Sequence, residues 1–288
     1  MKNISTLIIS LIIAAFSPTK SYAESPELAD SLLWEVSGNG LTQSSYLTGT
    51  LHIMCEKDFG ILPKVERAIK ASDQLYLEVD VNDPNEMAVM QQMVMSDTLL
   101  TDTLSTEQQT TLNQALKELM GLSLEQVNKY SMSALLSLML VKSVECPSIK
   151  VLDMELSTLA AAEGKTIAAL ETIKAQMGFM DKAFTDEYIM TYFEQMDEYK
   201  MVFSDMVEAF KAEDLNELMD LLNDKRFYNA DVEHWLLKVR NNNWVAIMPE
   251  IMQKNSTVFA VGAGHLGGNI GVIQLLQEAG FTVKPVMN

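Results

Sequence analysis

Apolar and polar positions alternate with a period of two in short stretches near both ends of the chain. Leu33-Trp34-Glu35-Val36 and Ser45-Tyr46-Leu47-Thr48 read as two strands around a Gly38-Asn39-Gly40 turn. Pro63 opens a short helix over 63–71, at the first-turn position that proline tolerates. Leu75-Tyr76-Leu77-Glu78-Val79 is a third alternating strand. Near the C-terminus Val258-Phe259-Ala260-Val261 has the continuous apolar character of a buried strand. A helix over 267–279, stopped by Gly280, then leads into Phe281-Thr282-Val283. A similar pair lies midway. Ile149-Lys150-Val151-Leu152 precedes a helix over 155–163, Gly164 closes it, and 166–170 is a further strand.

Between these strands the period changes to that of helices. Ser105 with Gln108, and Ser123 with Gln126, fit the capping box, and Gly121 separates the two helices they begin. Residues 132–141 are almost continuously apolar but too few to span a bilayer, which predicts a buried helix. Residues 185–212 and 231–241 also read as helices. Strands separated by helices predict an α/β fold: a mixed, largely parallel central sheet flanked by helices. One domain over 24–288 is expected, with a helical insertion over about 83–148 and 172–250. There is no repeat, no low-complexity tract and no glycine-rich linker.

Lys2 and the apolar run 4–16, broken by Pro18 and followed by Ser21-Tyr22-Ala23, read as a secretory signal over 1–23 cleaved after Ala23. The run is too short for a membrane-spanning anchor, and no cysteine follows to carry a lipid. The expected location is therefore the bacterial periplasm or beyond, with no stable membrane anchor after cleavage. Beyond residue 23 there are 19 bases against 39 acids, an excess that repels phosphate backbones and excludes nucleic acid as a natural partner. The only two cysteines are Cys55 and Cys146. Export and an even count favour a disulfide between them, the competing reading being a thiolate ligand to a metal. Twenty methionines are an unusual number, and Met87, Met90 and Met93 share one helix face. They read as adaptable packing or a pliable binding surface, with a copper(I) site as the minor alternative. The methionine-bearing helices between 83 and 230 are expected to form a lid or a partner surface.

The chemistry concentrates at strand ends. Of three histidines, two follow apolar strands in the same pattern, Gly49-Thr50-Leu51-His52 and Gly262-Ala263-Gly264-His265. Glycine there lets the chain turn sharply off the sheet and the histidine rise above its carboxyl edge, where ligand crevices form in α/β sheets. Glu78, Asp153 and Glu171 occupy equivalent places after three further strands. If those strands are parallel, all five side chains meet on one rim. Two imidazoles with one or two carboxylates make a ligand set for zinc, manganese or cobalt, which would acidify a bound water and polarise a carbonyl. A carboxylate left outside that set would take the proton. The alternative for each acid is a helix N-cap. Gly262-Ala263-Gly264-His265-Leu266-Gly267 also satisfies the dinucleotide pattern G-x-G-x-x-G. The strand after it, 281–284, carries no acid for a ribose, so that reading fails. Its amides could still hold a carboxylate or oxyanion at a helix N-terminus. His234 lacks the glycine pattern and reads as a surface or packing residue. Arg240 reads as a helix C-terminal cap or an anion clamp.

Tyr46-Leu47-Thr48-Gly49-Thr50-Leu51-His52, Leu62-Pro63 and Leu77-Glu78-Val79-Asp80 resemble the N-terminal signature of the TraB/PrgY/GumN family. Leu152-Asp153, Gly164-Lys165 and Leu170-Glu171-Thr172 with Gln176 resemble its middle block. Arg240-Asn241 with Trp244, and Val261-Gly262-Ala263-Gly264-His265-Leu266, resemble its closing block. The resemblance covers 34–286. It is similar to Tiki proteins, metal-dependent proteases with two G-x-x-H motifs, and more distantly to erythromycin-esterase and ChaN-like folds. The resemblance implies His52, Glu78 and His265 as metal ligands, with Glu171 and Arg240 in support and Glu171 as candidate base. It implies a hydrolase acting on a peptide or protein. The other open class is a binding protein that sequesters a peptide or a haem-like ligand in the same crevice.

Overall fold

The computed structural model describes residues 27–287, so the expected signal segment lies outside the described residues. Six strands form the main sheet: β1 (Leu33–Ser37), β2 (Ser45–Thr50), β4 (Gln74–Leu77), β6 (Thr166–Ala169), β7 (Thr257–Gly262) and β8 (Thr282–Pro285), in the order β6-β4-β7-β2-β1-β8. The first four in that order run parallel, and β1 runs antiparallel to both of its neighbours, β2 and β8. β7 is buried at every residue, as its continuous Val-Phe-Ala-Val run demands of a strand covered on both faces. The β1–β2 hairpin turns where expected, with Gly38, Asn39 and Gly40 all at positive φ.

The helices are α1 (Pro63–Ala71), α2 (Pro84–Met93), α3 (Leu100–Thr103), α4 (Thr106–Met120) and α5 (Met132–Ser143). They continue as α6 (Leu152–Ala162), α7 (Ile173–Ala183), α8 (Asp186–Glu194), α9 (Met196–Ala212), α10 (Leu215–Leu222), α11 (Val239–Lys254) and α12 (Val272–Glu278). None is long and apolar enough to cross a membrane. Ser105 and Gln108 close the expected capping box on α4, ended by Gly121 in the left-handed conformation. α2 buries none of its residues fully, so Met87, Met90 and Met93 ride on a half-exposed helix.

Four local expectations are corrected. The Ser123–Gln126 box caps a single 3₁₀ turn rather than a helix. Residues 185–212 break at Gln195 into α8 and α9. The helix expected over 231–241 is a π-helical stretch, Val232–Lys238, that runs on through Pro249 as α11. β5 (Ile149–Val151) is not in the main sheet. It pairs antiparallel with β3 (Ile53–Cys55) in a separate ribbon, and a Cys55–Cys146 disulfide joins the last residue of β3 to the segment leading into β5.

A buried ion pair ties the first and last strands together. Lys64 Nζ lies 2.6 Å from Glu213 Oε2, with 3% and 11% of the two side chains exposed. Lys64 also donates to Ser31 Oγ and the Val286 carbonyl, and Glu213 accepts from the Leu32 amide. This charge pair ties the first and last strands to α1 and to the α9–α10 junction, with its hydrogen-bonding capacity largely filled.

Candidate functional site

β2, β4, β6 and β7 end side by side, and the residues just past their carboxyl ends are His52, Glu78, Glu171 and His265. Asp153 arrives differently from expected. It sits in the first turn of α6, carried by the β3–β5 ribbon rather than by a strand of the sheet. The ribbon's register and a Leu152 amide bond to the His52 carbonyl (3.1 Å) set it against His52.

The two glycines that precede the histidines are needed for space, not for a turn. Gly49 and Gly262 lie inside β2 and β7 and neither has positive φ. A Cβ on Gly49 would meet Leu266 at 2.9 Å and the Ala263 Cα at 3.2 Å. A Cβ on Gly262 would lie 3.3 Å from Glu78 Oε1, 3.4 Å from His52 Nε2 and 3.6 Å from His265 Cδ2. Glycine therefore leaves one atom-sized space bounded by those three side chains.

Each imidazole is aimed into that space by an oxygen behind it. His52 Nδ1 pairs with Asp153 Oδ2 at 2.9 Å, and Thr50 Oγ1 donates to the other Asp153 oxygen. His265 Nδ1 donates to Asn241 Oδ1 at 2.6 Å, which leaves Nε2 with its lone pair facing inward. Asn241, Arg240 and Trp244 share the buried face of α11. The π-helical stretch before it supplies the Leu236 carbonyl to Arg240 NH1, a local departure of the kind found at functional sites.

Arg240 is the hub. Its Nε donates to Glu171 Oε1 at 2.9 Å, its NH2 bonds Glu78 Oε2, and its NH1 donates to His265 Nε2 at 3.0 Å. Its guanidinium lies 4.7 Å from the Trp244 ring centre. The reading of Arg240 as a helix-end cap is corrected: it stands in the second position of α11 and clamps the protein's own carboxylates. Glu171 is filled on both oxygens, by Arg240 and Gln176 on one and the Trp244 indole on the other. It holds Arg240 in place. Glu78 accepts from the Gly262 amide at 2.7 Å and from Gln176 at 3.0 Å.

These contacts separate the charges. Burial opposes ionisation of Glu78, but Arg240, both histidines and the Gly262 amide outweigh it and hold its pKa well below the carboxylate range. Burial raises that of Glu171, with Arg240 opposing. Burial and Arg240 push His265 down to about 3, against the pull of Glu78. Burial also opposes charging of His52, yet Asp153 and Glu78 raise it to about 9. The His52 side chain keeps 59% of its surface exposed, so solvent screens part of that attraction.

The donor set suits a divalent cation in chemistry: two imidazole nitrogens oriented by outer acceptors, one buried carboxylate and a space between them. Arg240 shares that set. Its N–H occupies the His265 lone pair, and among the described residues no three His, Cys, Asp or Glu side chains stand ready to hold a metal as placed. A cation at His265 therefore requires Arg240 to give up that bond, whereas His52 Nε2 and Glu78 Oε1 face the Gly262 space directly. The anion site expected at a helix N-terminus is absent. Ala263–His265 form one 3₁₀ turn, and α12 begins only at Val272. His234 is exposed, packs edge-on against Trp235 at 4.6 Å, and stands apart from the cluster.

Above the cluster lies a cleft of about 350 Å³ whose lining includes Thr50, His52, Arg240 and His265 at one end. The rest is roofed by α5 and α7–α10 through side chains such as Leu140, Met180, Phe184, Met206, Leu218 and Met219. Asn241 is the residue that reading by residue type leaves without a role, because its function appears only once α11 packs over His265. Comparison with curated proteins and with solved structures found no match. The model of the TraB/PrgY/gumN family matches residues 32–285, nearly the whole chain, and the chain belongs to that family.

Proposed function

We propose that this chain is an exported, metal-dependent hydrolase of amide bonds in a peptide or protein. The observation that supports it is the convergence of His52, Glu78 and His265 around the space above Gly262, at the carboxyl ends of parallel strands and at one end of a cleft. His52, Glu78 and His265 would hold one manganese, cobalt or zinc ion. Such an ion supplies a bound water acidic enough to attack at neutral pH and polarises the carbonyl under attack. Asp153 and Asn241 engage both Nδ1 atoms, so Nε2 is the nitrogen each ring would offer once His52 gives up its second proton and His265 its bond from Arg240. Glu171 and Trp244 hold Arg240, which keeps Glu78 ionised and brings a guanidinium beside the negative charge that develops on the carbonyl oxygen.

The test is cleavage of a broad peptide library by the purified chain, with and without chelator, beside Glu78→Gln. Cleavage that stops on chelation, returns with added metal and is lost in Glu78→Gln is the expected result. The apolar cleft favours one second reading, a protein that sequesters its ligand without cutting it. Binding of library members with no cleavage under any metal condition would select it.

A further inference from the structure

The cleft's walls are chemically one-sided. Its roof is helical, and helices keep their backbone N–H and C=O groups for themselves. A bound peptide strand needs a partner for each of its own backbone groups, as a sheet edge provides. Here the side chains that could substitute are few. Ser137 and Asn223 are solvent-exposed, and the Tyr192 hydroxyl is already spent on the Phe227 carbonyl. Of the other polar lining, the Tyr228 hydroxyl bonds Glu233, Tyr199 adds one half-buried hydroxyl, and Thr50, His52, Arg240 and His265 belong to the cluster at the strand ends. The volume, about 350 Å³, falls at the lower end of clefts that take small organic ligands. Methionines among the lining adapt to a flexible apolar guest.

We propose that this cleft takes the unbranched hydrocarbon chain of an acyl group, with the acyl carbonyl at the His52 end. The substrate is then an acyl amide or ester, on a peptide or on a lipid, and this rests on the hydrolase reading for its chemistry. In that reaction the water oxygen bonds to the acyl carbon, the bond to the departing nitrogen or oxygen breaks, and the proton from water goes to the departing atom. The head group is uncharged, because Arg240 is already paired with Glu78 and Glu171 and His52 with Asp153.

The experiment has a binding arm and a cleavage arm. In the first, N-methyl alkanamides from pentanoyl to decanoyl displace the neutral dye N-phenyl-1-naphthylamine from the full chain. Affinity should rise about fourfold per methylene until the cleft is full. Leu140→Trp and Leu237→Trp, which fill the cleft, should flatten that dependence while circular dichroism stays unchanged. Met154→Ser, on the exposed surface, should match the parent. A flat series in the parent protein, or displacement by apolar peptides but not by alkanamides, overturns the proposal even if both tryptophan variants misfold. In the second arm, 4-nitrophenyl esters of the same chains are offered with metal. Chain-dependent binding without hydrolysis would overturn the hydrolase reading and leave the acyl cleft standing. Hydrolysis indifferent to chain length would do the reverse.

Discussion

Replacing Arg240 by Met tests the electrostatic design of the cluster. The three side chains involved are nearly dry: Arg240 is 6% exposed, Glu78 5% and Glu171 7%. Methionine keeps the apolar packing against Trp244 but leaves two carboxylates buried without their shared cation. Removing one partner of a buried pair costs about 3–5 kcal/mol, a large part of the 5–15 kcal/mol that holds a domain folded. With an m-value near 3 kcal/mol/M in urea, the midpoint should fall by about 1–2 M at pH 7. The deficit must also depend on pH. In the parent, the depressed Glu78 contributes stability that is present above its ordinary value of 4.5 and lost as pH falls below it. Without Arg240 the repelling carboxylates relax by protonation, Glu171 first, since its pKa is already raised. The gap between variant and parent should therefore be widest near pH 8 and narrow toward pH 4. Urea titrations followed by circular dichroism at those two values decide it. A deficit below 1 kcal/mol, or one equal at both pH values, would refute the assignment of Arg240 as the counter-ion of both acids.

Three further outcomes are expected. In metal-free protein, NMR should show His52 titrating near 9 and His265 near 3. The stability owed to His52 is then full below about 6.5 and lost as pH rises through 9, and metal affinity should climb over the same window as the proton leaves. Titration of both rings near 6.5 would contradict the partners given to them. Gly49→Ala should cost about 1–3 kcal/mol in thermal unfolding through overpacking against Leu266 and Ala263, and an unchanged melting curve would argue against close approach as the reason for glycine. Replacing Cys55 and Cys146 together by Ser frees a loop of sequence separation 91, for which chain entropy gives about 4.5 kcal/mol as an upper figure, read by urea unfolding. A loss under 1 kcal/mol would show that the loop is held by other means.

The parallel strands are legible as short alternating or apolar stretches, each followed closely by a distinctive polar residue, and the same property marks His52, Glu78, Glu171 and His265. The glycines were legible as a pattern but not in cause. Gly49 and Gly262 are extended, and what needs them is the atom-scale crowding of side chains from other elements. β5 is legible as a strand but not in its partner, since three residues of β pattern carry no sign of which sheet they join. The break at Gln195 has neither Gly nor Pro to announce it, and α11 continues past Pro249, against the usual meaning of proline. Arg240 was visible as a charge near a helix, but its grip on two acids and a histidine exists only in three dimensions. The apolar cleft was foreshadowed by the methionine-rich helices, several of which supply its roof.

The central claim is that His52, Glu78 and His265 together hold one divalent ion. Metal stoichiometry by mass spectrometry, on protein purified without chelator at pH 8, tests it for the parent, His52→Ala, His265→Ala and His234→Ala. The account predicts one manganese, cobalt or zinc per chain in the parent and in His234→Ala, and near none in the other two, each of them folded by circular dichroism. Equal metal content in all four proteins, or none in any after loading with each ion, would contradict it.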